Sequence, residues 1–170
     1  MTVTVERGTS RTEGTTQTLH FVVHLTHPVE DVWPALATAD GLRGWLAEAE
    51  LPQPRLGGSL ALRWPTAGED AHVSTGRITA WDVERVAEYT LTSFPGRIRF
   101  HLESDGEQGT TLRFTNEFEG DDALRLDCLA AWHAHFEYLA AALDGRPVDW
   151  SAWTPRRFQV LREGYAAGQP

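Results

Sequence analysis

The chain of 170 residues contains no lysine, because all 15 of its basic residues are arginine. Without a lysine amine there is no Schiff-base chemistry, no lysine-anchored pyridoxal phosphate and no P-loop. Cysteine is nearly as scarce. Cys128 stands alone, which excludes an intramolecular disulfide, and neither a Cys-x-x-Cys pair nor a Cys/His zinc spacing occurs. No cofactor and no metal is expected. Long apolar runs are also missing: none approaches the roughly 18 to 20 residues that span a bilayer. The opening "MTVTVERGTSRTEGTTQT" is dominated by Thr, Ser, Gly and charged residues and has no apolar core of the kind a secretory signal needs. A soluble, cytoplasmic protein is the expectation. Acidic residues outnumber basic ones, for a net charge of −9, which repels phosphate backbones and anionic lipid. Neither nucleic acid nor membrane is expected as a partner.

What is present is a globular composition, 41% hydrophobic with seven tryptophans, at a length that fits one core. Leu19, Phe21, Val23 and Leu25 alternate with Thr18, His20, Val22 and His24, the period of a strand with one buried face. Val29, Val32, Trp33 and Leu36 then fall at helical spacing behind Pro28, and Gly41 is expected to end that helix, with a short second one running to Leu46. Pro34 inside it predicts a kink or a late start.

From Leu56 the texture changes to five short β-rich runs, "GGSLALRW", "HVSTGRITAW", "RVAEYTLTSF", "GRIRFHLES" and "TTLRFTNEF", separated by turn signals at "TAGED", "DVE", "FPG" and "DGEQG". This predicts an antiparallel meander. Ile98, Phe100 and Leu102, then Leu112, Phe114, Asn116 and Phe118, share its covered face. The cover is a helix from about Asp121 to Leu143, opened by acidic residues and stopped by Gly145, with an apolar stripe of Leu129, Trp132, Phe136, Leu139, Ala140 and Leu143. The division is a flexible polar arm over 1–15, one α+β domain over 16–145 and an extension over 146–170 with a short docking helix.

Three stretches in this order carry a resemblance. "PVEDVWPALATADGLRGWL" (28–46), "GRITAWDVERVAEYTL" (76–91) and the pair "GTTLRFTNEFEG…AAWHAHFEYLAAALDG" (109–145) are similar to the START-like (SRPBCC) superfamily, and within it to the homologues of the activator of the heat-shock-protein-90 ATPase. The resemblance implies a helix-grip fold: a six-stranded curved antiparallel sheet around the long C-terminal helix, with two short helices after the first strand. Its members include a co-chaperone domain, and more distant relatives carry lipids or cyclise polyketides. The functions it implies are therefore three. One is binding of a small hydrophobic or aromatic molecule between sheet and helix. A second is a protein-interaction or chaperone-associated module that uses the Trp150–Tyr165 extension. The third is a cofactor-independent cyclase or dehydratase.

The expected cavity walls are Trp33, Trp45, Trp64, Tyr89, Phe100, Phe114, Trp132 and Phe136, with Asn116 and His133 as polar contacts. Aromatics bury large areas, so each wall is equally readable as core. Asn116, the one asparagine in the chain, lies on the inward register and must find a partner: either backbone near its strand end or a ligand. Ser74 and Arg77 are further polar candidates whose faces the pattern leaves open. His133 and His135, two apart, point roughly 200° from one another on a helix and cannot share a metal. His133 and Glu137, four apart, share a flank and are the only acid–base candidates. His20 and His24 lie about 13 Å apart along a strand, too far to chelate. Ser59 in "GGSLA" is no nucleophile elbow, and Glu117 with Glu119 reads as a solvated pair.

Overall fold

The computed structural model describes residues 5–66 and 73–168. It is an α+β fold in which eight antiparallel strands form one sheet: β1 (Thr9–Glu13), β2 (Thr16–Leu25), β3 (Glu48–Glu50), β4 (Ser59–Arg63), β5 (Val73–Asp82), β6 (Val86–Leu91), β7 (Arg97–Ser104) and β8 (Thr110–Glu119), in the order β1-β2-β8-β7-β6-β5-β4-β3. Helices α1 (Val29–Ala37) and α2 (Ala39–Arg43) follow β2, α3 (Asp122–Leu143) crosses the inner face, and α4 (Arg156–Ala166) ends the chain. This agrees with a helix-grip arrangement.

The sheet has eight strands rather than the six expected. The two extra ones are the edges. β1 arises from the expected polar arm: Thr9–Glu13 pairs with Thr16–His20 across a tight turn at Gly14 (φ +64°). Its sequence, "TSRTE", is almost wholly exposed, so hydrogen bonding to β2 holds it and no alternation announces it. β3 is three residues long and pairs with β4, below the length at which a period is visible. Residues 1–4 of that arm and most of the "TAGED" turn lie outside the described residues.

The inward register of each predicted strand is buried, including Leu19, Phe21, Val23, Leu62, Ile78, Tyr89, Ile98, Phe100, Leu112, Phe114 and Asn116. The outward face carries an ion network around Glu88, which accepts from Thr79 (2.7 Å), Arg97 (3.2 Å) and Arg99 (3.0 Å).

Helix α1 runs through Pro34 and stops at Ala37, with Thr38 extended (φ −128°, ψ 154°); Gly41 lies inside α2 rather than ending α1. A Cβ at Gly41 would collide with the Pro34 carbonyl, so this glycine admits the close approach of α2 to α1. The last carbonyls of α1, which have no partner within the helix, are met from outside it. Thr38 Oγ1 donates to Pro34 O (2.7 Å), Trp45 Nε1 to Ala35 O (2.7 Å) and Tyr89 Oη to Leu36 O (2.7 Å).

Helix α3 opens with Asp121 accepting from Leu124 N–H (2.9 Å), an N-cap. It closes in a Schellman motif, in which Gly145 (φ +85°) donates to Ala142 O (3.0 Å) and Arg146 to Ala141 O (2.9 Å). The described extension packs back onto α3. Trp150 Nε1 donates to Arg43 O (2.7 Å), Trp153 Nε1 to Tyr138 Oη (2.9 Å), and Arg157 grips Glu137 with two bonds (2.8 and 2.7 Å).

Candidate functional site

The middle of the space between sheet and α3 is filled. Trp45, Tyr89, Phe100, Phe114 and Phe136 are each fully buried and touch one another. Phe100 and Phe114 have ring centroids 5.2 Å apart, Phe114 and Phe136 5.0 Å, and Trp45 stacks on Phe136 at 6.0 Å. The polar ends of Trp45 and Tyr89 are spent on capping α1, and burial raises the Tyr89 phenol far above its usual range. Trp33 packs edge-on to Trp81 at 5.1 Å. These six expected walls are core.

Open space lies instead beside the middle of α3, on the side toward Trp64 and the β6–β7 turn. A cleft of about 200 Å³ is bounded by Leu46, Trp64, Thr66, Phe94, Pro95, Cys128, Ala131, Trp132 and His135. Among the expected residues only Trp64 and Trp132 line it. Two hydrogen-bonded relays build its walls. In the first, Trp132 Nε1 donates to Asn116 Oδ1 (3.0 Å), and Asn116 Nδ2 donates to Pro95 O (2.8 Å) and Arg97 O (3.0 Å). In the second, Trp64 Nε1 donates to Ser74 Oγ (3.2 Å), which donates to Phe94 O (3.1 Å). Both relays end on the β6–β7 turn, so the turn and the two indoles are held together. Each indole N–H is satisfied inside the wall, and the rings show the cleft only apolar surface. Asn116 is thus a buried clamp whose two donors and one acceptor are in use. Gly96 (φ +75°) permits the turn, since a Cβ there would press on Glu117 O at 2.5 Å.

A second cleft of about 230 Å³, bounded by Thr66, Ala131, Ala134, His135, Tyr138, Trp153, Pro155 and Phe158, lies between α3 and the extension. Thr66, Ala131 and His135 belong to both. Two larger hollows, about 420 and 530 Å³, run over the polar strand surface near β3, β4 and β5 and are lined by charged groups including Arg43, Glu50 and Arg77. Arg77 faces outward and donates to Gly57 O (3.3 Å).

The two histidines of α3 part as helical geometry requires, though both are buried. His133 faces α4. Its Nδ1 lies within hydrogen-bond distance of Tyr165 Oη (2.8 Å), which also accepts from Gly8 N–H (2.8 Å). The guanidinium of Arg7 sits 4.3 Å over the Tyr165 ring. His133 Nε2 is 3.9 Å from Glu137, whose carboxylate Arg157 holds. Burial lowers the His133 pKa, against the opposing pull of Glu137. The His133–Glu137 pair therefore ties α4 to α3 and does not meet either cleft.

His135 faces the clefts. Its Nδ1 lies 2.7 Å from Ala131 O; a carbonyl only accepts, so Nδ1 carries the proton and Nε2 presents a lone pair. Among the described residues Nε2 is the one buried side-chain nitrogen or oxygen without a partner. Burial lowers the pKa of His135 to about 4, which keeps it neutral. Burial also raises Cys128 to about 12, helped by Asp127, so its thiol is un-ionised and unreactive.

Sequence reasoning missed Leu46, Thr66, Phe94, Pro95, Cys128, Ala131 and His135. "FPG" reads in sequence as a turn, with nothing to mark it as a wall, and the spacing of His135 from His133 speaks only against a shared metal. His20 and His24 lie exposed on β2, and Glu117 and Glu119 are exposed on β8. Among the described residues no group of three His, Cys, Asp or Glu side chains could hold a metal ion. No helix among them is long and apolar enough to cross a membrane.

Residues 26–144 match the family model described as activator of Hsp90 ATPase homolog 1-like protein. No curated protein sequence matches the chain. The fold is similar to that of EF2215 from Enterococcus faecalis, a conserved protein of unknown function, with a TM-score of 0.73 at 18% identity over 96% of this chain and 93% of that one. It is similar to CalU16 from Micromonospora echinospora in solution, at a TM-score of 0.73 and 18% identity over 97% and 94%. The protein encoded by BPP1335 of Bordetella parapertussis is 26% identical over 96% and 91%, with a TM-score of 0.66.

Proposed function

The chain belongs to the family of activator of Hsp90 ATPase homolog 1-like proteins, and from that premise we propose that it is a cytoplasmic binding protein for a small hydrophobic or aromatic molecule. The observation that carries the reading is the apolar cleft of about 200 Å³ beside α3, with both of its tryptophans pinned by hydrogen bonds inside the wall. Apolar cavities of about 150 Å³ take up a benzene ring, so this one suits one or two fused rings, more if the adjoining cleft is used. A preformed wall loses little order on binding, which favours affinity. At roughly 0.3 kcal/mol per heavy atom, an apolar compound of about twenty atoms would reach a dissociation constant of tens of micromolar. The one cysteine is a buried free thiol and asks nothing of an oxidising compartment.

The test uses 2-methoxynaphthalene, followed by quenching of tryptophan fluorescence. Saturable quenching is expected in the wild type. In Ala131→Phe, whose ring enters the cleft from the half-buried face of α3, the dissociation constant rises at least about tenfold. Equal binding by both proteins would put the ligand elsewhere, and no binding by either would end the reading.

The family description favours a second reading, association with a chaperone. The Trp150–Tyr165 extension is already engaged on α3, so a partner would meet its outer surface or displace it. Stoichiometric capture of an Hsp90-type ATPase by the full chain, with a change in ATP turnover, would favour this reading over the first.

A further inference from the structure

We infer that the molecule bound in the cleft carries a hydrogen-bond donor, a phenol-type or enol-type hydroxyl, and that Nε2 of His135 accepts from it. This rests on the cleft-binding reading above and adds the chemical class of the ligand. Three observations lead to it. First, the ring of His135 is part of the wall of both clefts, so a group in either one lies against it. Second, the ring is oriented by its bond to Ala131 O, which leaves Nε2 as a fixed acceptor. Third, that acceptor is buried and has no partner among the described residues, whereas the indoles and the serine of the wall are committed: Trp132 to Asn116, Trp64 to Ser74, and Ser74 to Phe94 O.

An unpaired buried acceptor is costly, and a donor that reaches it recovers that cost together with its own bond. Nε2 itself has almost no exposed surface, so a donor seated in one of the clefts that the ring lines reaches it with a small shift of the side chains around it. Neutral His135 also discriminates against anions. A carboxylate brings only lone pairs to a lone pair, inside an apolar wall where its charge is poorly solvated. The selectivity expected is hydroxyl over ether and over carboxylate on the same ring system.

The experiment compares 2-naphthol, 2-methoxynaphthalene and 2-naphthoate by calorimetric titration of the full chain. A cleft that is merely apolar binds the methoxy compound more tightly than the naphthol, because the hydroxyl is better hydrated. With His135 as acceptor the order inverts, and naphthol binds at least about tenfold tighter, the ratio that 1.4 kcal/mol supplies, while naphthoate binds weakest. In His135→Leu the naphthol advantage disappears while the methoxy compound still binds. Long-range proton–nitrogen NMR of the wild type gives a readout that needs no variant: the Nε2 resonance of His135 moves on adding naphthol and stays with the methoxy compound. If both compounds bind equally, or Nε2 does not move, this inference falls and cleft binding stands. If none of the three binds, both fall together.

Discussion

Two regions along one helix use the same kinds of side chain to opposite ends. On one side of α3, Phe136 meets Trp45, Phe114 and Phe21 with ring centroids 6.0, 5.0 and 5.3 Å apart and leaves no room. One turn earlier, Trp132 and Trp64 stand apart across a cleft of about 200 Å³. The difference lies in how the polar edges are anchored. Around Phe136, Trp45 and Tyr89 spend their donors on the end of α1, and their rings fill the core. At the cleft, Trp132 and Trp64 spend theirs on Asn116 and Ser74 in the strands, and the Trp132 ring both packs on Phe114 (4.4 Å) and Phe136 (5.8 Å) and bounds the open space. A ring whose N–H is tethered to the wall is not free to collapse into the space beside it. The two histidines repeat the lesson: His133 has a partner on α4, and His135, whose ring lines the clefts, has a buried nitrogen with no partner among the described residues.

The comparison is broken most severely at Phe136. Phe136→Ala empties a fully buried ring site and is expected to destabilise the fold by about 4 kcal/mol, read as a lowered urea midpoint with unchanged slope. A loss under about 1 kcal/mol would mean that the core around Phe136 is as loosely packed as the cleft.

Asn116→Ala comes next, at about 3 kcal/mol, because it strands the Trp132 indole N–H and the Pro95 and Arg97 carbonyls together. It should also weaken 2-methoxynaphthalene binding. Wild-type affinity in this variant would show that the clamp does not shape the cleft.

The third test is pH. The folded-state pKa of His135 is lowered to about 4, below an unfolded value of about 6.5, so the unfolded chain binds the proton first. The stabilisation is complete above pH about 6.5 and is lost as pH falls toward 4. Between pH 7.5 and 5 the loss from this group is about 2 kcal/mol, and His133, whose pKa is also lowered, adds in the same direction. Urea titrations across that range should show the slope, and His135→Gln should flatten part of it. An identical slope in the variant would assign the effect elsewhere.

The smallest expected effect is Tyr165→Phe, about 1.5 kcal/mol, from the bonds lost to Gly8 N–H and His133. Because those bonds join α4 to α3 and to the start of the described chain, hydrogen exchange should rise in α4 while the amides of β7 and β8 stay protected. Uniform exchange throughout would mean that α4 unfolds only with the whole domain.

Much was legible in the residues. Alternation in β2, β7 and β8 names the buried face residue by residue, since successive strand side chains point to opposite sides. The stripe of α3 and its stops at Asp121 and Gly145 follow from helical period and capping chemistry. Angular geometry alone separated His133 from His135 before any contact was known. Edge strands β1 and β3 were not legible, because pairing to a neighbour and not burial holds them. The cleft was not legible either: every aromatic on the inner register is equally suited to fill a core or to line a cavity.

The sequence by itself therefore determined which faces are buried, where the long helix begins and ends, and that these 170 residues hold no lysine amine and no second cysteine to pair with Cys128. Only the tertiary structure decided which aromatics close the core and which hold a cleft open, because that depends on where each indole or phenol finds its acceptor. It also decided which histidine is satisfied: Tyr165 reaches His133 from 32 positions along the chain, while nothing among the described residues reaches the Nε2 of His135.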